Sequence, residues 1–144
     1  MLSLQEISDR LEIQDLLSRY ASAIDRCDWD LLDMVFTPES YIDYSAFGGL
    51  VGYYPEIKTW LKEVLTPFPA FQHMVTNMEI TINGDNATGR IMCLNPIVLP
   101  GDENPPRVGF NGLWYLDEYI RTDAGWRIAR RSEEASYSHN FPAQ

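Results

Sequence analysis

Two hydrophobic periods divide the chain. Up to about residue 65, apolar residues recur at three-and-four spacing; from Phe71 onward they recur at every second position. Ile13, Leu16, Leu17, Tyr20 and Ile24 make one stripe, with Glu12, Asp15, Ser18 and Arg19 outside it, which predicts an amphipathic helix. Asp28-Trp29-Asp30 restarts a short helical pattern through Leu31, Leu32, Val35 and Phe36, which Pro38 ends. Tyr41 to Tyr44 predicts a short strand stopped by Gly48-Gly49. A second helix opens with Pro55 in its first turn, carries Ile57, Trp60, Leu61, Val64 and Leu65 on one face, and stops before Pro67.

The period-two half predicts two long hairpins. Phe71 to Ile82 runs into Asn83-Gly84-Asp85, a turn sequence typical of hairpins, and Ala87 to Leu99 returns, with Pro96 marking a bulge or edge position. Residues 100–106 have no periodicity and predict a loop. Val108 to Thr122 then turns at Asp123-Ala124-Gly125 and returns from Trp126 to about Tyr137. Helices first and hairpins second is an α+β order. It predicts a curved antiparallel sheet, wrapped partway into a cone, with the N-terminal helices covering its concave face and enclosing an apolar pocket.

The 144 residues, 45% of them hydrophobic, suit a single domain over 1–144. With 11 basic and 21 acidic residues the formal charge is −10, which argues against a nucleic-acid partner. The late cluster Arg121, Arg127, Arg130 and Arg131 reads as a solvated strand face in preference to an anion site. No apolar run approaches the roughly 20 residues of a membrane span, and residues 1–6 lack a basic region followed by an apolar block. The expectation is a soluble, cytoplasmic protein. Cys27 and Cys93, without CxxC spacing, indicate neither a disulfide framework nor a structural zinc site, and no metal or cofactor is expected.

Chemistry rests on few residues. Only two histidines occur, His73 and His139. His73 alternates with Phe71 and Val75, and reads equally as a proton acceptor in a cavity or as a hydrogen-bonded sheet histidine. Asp25 stands at the rim of the first helix's apolar stripe, where a solvent-facing or capping role is the simpler reading. Tyr20 lies within that stripe, and Tyr44 sits in a strand beside glycines. Together, Tyr20, Asp25, Tyr44 and His73 suit proton abstraction followed by loss of a leaving group.

The combination resembles a known family. Tyr20-Ala-Ser-Ala-Ile-Asp25, Asp28-Trp29-Asp30-Leu31-Leu32, Tyr41-Ile-Asp-Tyr44-Ser45, Gln72-His73-Met74 and Gly125-Trp126-Arg127-Ile128 are similar, across essentially the whole chain, to SnoaL-like proteins of the nuclear transport factor 2-like superfamily. The likeness is to the branch containing scytalone dehydratase, bile-acid 7α-dehydratase and lindane dehydrochlorinase. That resemblance implies a conical α+β barrel, a homo-oligomer with the trimer favoured over the dimer, and cofactor-free elimination in the cavity. It aligns Asp25 and His73 with the family's orienter and base, Tyr44 with a tyrosine that polarises a substrate carbonyl, and Tyr20 with a tyrosine of the bile-acid enzyme. If Asp25 faces inward, the helix must end or tilt after Ile24.

The chain also departs from that pattern. Ile97, Trp114 and Leu116 stand near the places of scytalone dehydratase's second histidine and its serine–asparagine pair. Ala135 stands near the bile-acid enzyme's late arginine, with Arg130 and Arg131 too early unless a gap intervenes. The dyad is kept while the substrate-reading groups differ. Trp29, Phe47, Met92, Leu94, Phe110 and Trp114, with Asn111 as a polar donor, are the remaining pocket candidates and favour a small hydrophobic, ring-containing substrate. The expected activity is a dehydratase-type lyase. An isomerase or cyclase using the same base, and a non-catalytic ligand-binding or assembly member of the superfamily, are the alternatives.

Overall fold

A capping box starts the first helix. In the computed structural model, which describes residues 1–143, the Ser3 hydroxyl accepts the Glu6 N–H at 3.2 Å and the Glu6 carboxylate accepts the Ser3 N–H at 2.8 Å. Helix α1 runs Leu4–Asp25 and buries Ile13, Leu16, Leu17, Tyr20, Ala23 and Ile24. It ends one residue past Ile24: Asp25 is the last helical position, and Cys27 turns the chain away at φ 54°. A 3-10 helix, Trp29–Met34, follows, capped by Asp28.

Phe36 departs from the expected helical pattern. It opens strand β1, Phe36–Asp43, and Pro38 lies inside that strand. The ladder to the last strand slips between Phe36 and Tyr41, and this irregularity is what accommodates a residue without an N–H. Strand β2, Val51–Tyr53, is too short for a periodic signal. Helix α2, Tyr54–Val64, matches the expected element, with Pro55 in its first turn.

The expected strand from Phe71 to Ile82 is broken in two. Strand β3 is Ala70–Phe71 and β4 is Met74–Asn83, with Gln72 and His73 in the gap between them. Three long strands complete the sheet: β5 Asn86–Val98, β6 Val108–Thr122 and β7 Gly125–His139. The order is β2-β1-β7-β6-β5-β3, and β4 also pairs with β5. All pairings are antiparallel except β1 with β7, which is parallel, so the sheet is mixed where a purely antiparallel one was expected. It curls into a half-barrel, the cone-like α+β fold foreseen from the order of elements. Among the described residues no helix is long and apolar enough to cross a membrane.

The late arginines are not one solvated face. Arg131 and Asp117 are both fully buried and form a two-pronged ion pair, Nε to Oδ1 and Nη2 to Oδ2, each 2.7 Å. Arg121 reaches across to Asp9 on α1 at 2.7 and 2.8 Å, and the Trp126 indole N–H donates to the same carboxylate at 3.1 Å. The Asp9 contacts fasten the helix to the sheet, and the Arg131–Asp117 pair satisfies charges that the half-barrel encloses. Asp9 shares the buried side of α1 with the apolar stripe, and the two hydrogen bonds from Arg121 are what make its burial tolerable.

Candidate active site

Between the concave sheet face and the helices lies a cavity of about 220 Å³. An apolar space of roughly 150 Å³ already accepts benzene, so this one admits a single substituted ring. Ile24, Phe47, Trp60, Leu61, Val64, Leu65 and Leu113 supply apolar wall. Tyr20, Tyr44, His73, Asn95, Asn111, Tyr115 and Glu133 bring polar groups to it.

The break between β3 and β4 positions His73. Asn95 on β5 donates its amide to the Gln72 carbonyl at 2.7 Å, and the Gln72 N–H donates to the Pro96 carbonyl at 3.1 Å, so the irregular segment is tied to its neighbour. Asp25 then holds His73 twice. One carboxylate oxygen accepts the His73 backbone N–H at 3.0 Å, and the other lies 2.7 Å from the ring Nδ1. The side chains are 10% exposed for His73 and 25% for Asp25. A carboxylate at Nδ1 selects the tautomer that carries its proton there, which leaves Nε2 as the free proton acceptor.

Beside the imidazole stands a pair of phenols. The Tyr20 ring meets His73 edge-on at 6.1 Å between centroids, and the Tyr20 and Tyr44 hydroxyls are 2.9 Å apart. One phenol donates to the other, so the accepting hydroxyl keeps its own hydrogen for a ligand. Burial pushes both phenols above their ordinary range, for Tyr44 strongly, so they are neutral donors at physiological pH. Tyr115 is likewise pushed well up by burial. The Arg131 guanidinium packs 4.2 Å from the Tyr20 ring centre and 3.9 Å from that of Tyr115, and so fixes the planes of two aromatic walls. Burial drives the Arg131 charge down, but the Asp117 carboxylate outweighs it and keeps the guanidinium ionised.

The structure thus brings Tyr20, Tyr44 and His73 to one cavity with Asp25 behind the histidine, and adds Phe47 and Asn111 to its lining. Five expected pocket residues lie elsewhere. On β5 and β6 the inward side chains are Cys93, Asn95, Leu113 and Tyr115, so Met92, Phe110 and Trp114, at the alternate positions, face outward with Leu94. Trp114 is covered there by the Arg90 guanidinium, 4.0 Å from its ring centre. Trp29 belongs to the 3-10 helix and packs against the core from outside the cavity.

Sequence reasoning missed Asn95, Tyr115, Trp60 and Glu133. The strand phase finds the first two once His73 is placed inside, because Val75 pairs with Cys93 and Asn95 pairs with Asn111. Cys93 is buried and its thiol is pushed up to about 11 by that burial, so it is an inert filler. Among the described residues no three His, Cys, Asp or Glu side chains gather as a metal-ligand set.

Residues 5–132 match the family model described as a SnoaL-like domain. An uncharacterized protein of Mycobacterium tuberculosis is 55% identical over 133 residues, spanning 92% of this chain and 89% of the relative. Among solved structures, a protein of Kribbella flavida superposes with a TM-score of 0.84 at 30% identity, covering 92% of this chain and 94% of that one. A hexachlorocyclohexane dehydrochlorinase of Novosphingobium barchaimii gives a TM-score of 0.80 at 20% identity over 96% of this chain and 93% of that one. At 20% that likeness concerns the fold alone.

Proposed function

The chain belongs to the SnoaL-like domain family, and from that membership and the cavity chemistry we propose that it is a cofactor-independent lyase acting on a small, hydrophobic, ring-containing substrate. The observation that carries this reading is the Asp25–His73 pair, with a carboxylate 2.7 Å from Nδ1 and the imidazole lining an apolar cavity. In it, His73 Nε2 removes a proton from the carbon next to a carbonyl. Asp25 holds the ring and stabilises the imidazolium that forms. The Tyr20–Tyr44 hydroxyl pair donates to the carbonyl oxygen as charge develops on it. The leaving group then departs from the adjacent carbon.

Trp60, Leu61, Val64 and Leu65 of the α2 region favour an apolar ring over a charged chain. Elimination is the reaction type named for the dehydrochlorinase that shares this fold, and we adopt it here. An isomerisation would begin with the same proton removal and use the same phenols, and product identity separates the two. The reading includes a homo-oligomer, with the trimer taken from family resemblance, and a cytoplasmic location. Met74, Leu116 and Tyr137, exposed on the outer sheet face, support self-association, which light scattering of the purified protein tests.

The direct test is a panel of single-ring β-hydroxy ketones, followed by the absorbance of the conjugated enone. His73→Ala and Asp25→Asn should each lower turnover by about 100- to 10,000-fold while the circular dichroism spectrum is retained. Undiminished turnover by the His73→Ala protein would refute the assignment.

A further inference from the structure

Loss of hydroxide from a neutral ketone needs two proton transfers. A base takes one proton from carbon, and an acid gives one to the departing oxygen. His73 accounts for the first. The buried phenols are poor at the second, because their acidity is weaker than that of free tyrosine.

One carboxyl side chain lines the same cavity. Glu133 lies on β7, directly across the ladder from Tyr115. Its neighbour Arg131 makes no hydrogen bond to it: Nε and Nη2 go to Asp117, and Nη1 has no partner among the described residues. No hydrogen bond to a described residue holds its carboxyl in the charged form, and partial burial in the cavity strips some of its solvent. The charged and titratable groups around it are Arg131 on its own strand, Asp43 on β1, Tyr44 after that strand, Tyr20 on α1, Cys93 on β5, Tyr115 on β6, and His73 in the lining of the same cavity. Arg131 favours the carboxylate, whereas burial and Asp43 disfavour it and prevail. The carboxyl is pushed up to about 7, so it still carries a proton in much of the population at neutral pH.

We propose that Glu133 is the general acid of this site, giving its carboxyl proton to the oxygen that leaves the substrate; this rests on the elimination reading of His73. The step balances within the chain. The C–H bond breaks and its proton goes to His73 Nε2, while the electron pair becomes the new C=C bond. The C–O bond breaks, and the oxygen takes the Glu133 proton and departs as water. Transfer of the imidazolium proton through solvent to the Glu133 carboxylate restores both groups. Two groups lining one cavity thereby divide the acid and base work, and the phenol pair is left to the carbonyl.

Leaving-group comparison tests this. 3-Hydroxycyclohexanone and 3-acetoxycyclohexanone yield the same enone, but acetate departs without a proton. Glu133→Gln keeps the shape and removes the acid, so the hydroxy-to-acetoxy rate ratio should fall by about 100-fold or more relative to the parent protein. The hydroxy substrate should also lose rate as pH rises through about 7 in the parent, and that limb should be absent from the acetoxy profile. An unchanged ratio would overturn the proposal, as would equal slowing of both substrates. Carbon-13 NMR of glutamate-labelled protein, with the Glu133→Gln variant identifying the resonance, gives a readout independent of turnover. A carboxyl midpoint near 7 supports the assignment, and one in the ordinary range near 4 overturns it. No turnover of either ketone by the parent would count against the His73 reading, while the NMR midpoint would still decide whether Glu133 holds the proton.

Discussion

Asp117→Asn is the substitution that most severely probes how the aromatic cavity floor is held. Asp117 and Arg131 are each 0% exposed and joined by two 2.7 Å bonds, and the Tyr119 hydroxyl donates to the same carboxylate at 2.8 Å. The Arg131 Nη1 already has no partner. Replacing the carboxylate by an amide removes the only opposing charge in direct contact and leaves a guanidinium buried between Tyr20 and Tyr115. Breaking one side of such a pair costs about 3–5 kcal/mol, against roughly 5–15 kcal/mol for a whole domain. Melting should fall by about 10–20 °C. Asp117→Leu combined with Arg131→Met should recover most of the loss, because well-packed apolar residues replace a buried ion pair at little net cost. A residue of about 1–3 kcal/mol should persist from the stranded Tyr119 hydroxyl, and adding Tyr119→Phe should remove it. Urea unfolding followed by tryptophan fluorescence measures each step. Loss of less than about 1 kcal/mol in Asp117→Asn, or a double variant no better than that single one, would refute the argument.

Two further substitutions probe the frame around the site. An added Cβ at Gly49 would lie 2.6 Å from the Tyr44 carbonyl oxygen and 2.8 Å from the Trp60 ring, so Gly49→Ala should cost about 1–3 kcal/mol and shrink the cavity. Gly112→Ala should cost less, because its closest neighbour is the exposed and movable Tyr137 ring; equal costs in urea unfolding would contradict this. Asp9 is held down to about 2, first by its hydrogen bonds from Arg121, whereas an unfolded aspartate titrates near 3.9. Its pair therefore contributes fully above pH ~4 and is lost as pH falls toward ~2, worth about 2 kcal/mol for this buried carboxylate. The stability gap between the parent and Asp9→Asn should close over that window, and a gap that stays constant would contradict it.

Period carried much of this architecture. The three-and-four stripe of α1 and α2 and the alternation of β5, β6 and β7 appear where the residues predict them, because each element buries one face. What period could not carry is where an element stops or breaks. Asp25 looked like a rim residue on a continuing helix, but the helix ends there and the turn at Cys27 leaves its carboxylate against His73. His73 itself lies in a two-residue interruption that no alternation reveals. Strand phase explains the outward placement of Met92, Phe110 and Trp114, since apolar residues cover both faces of β5 and β6 and composition does not say which is concave. Arg131 reads as part of a solvated strand face until the register that sets it against Asp117, 14 positions away on the adjacent strand, is known.

The parallel ladder of β1 with β7 joins the first strand of the chain to its last, pairing Ile42 with Arg131. Tyr44 follows the first of these strands and Glu133 lies on the second, so the cavity is closed by residues nearly ninety positions apart. Closing so long a loop is slow compared with forming either hairpin. Until β7 pairs with β1 the phenols lack their opposite wall. Ligand-binding competence therefore waits on β7, and a probe that binds the cavity would report that strand's arrival.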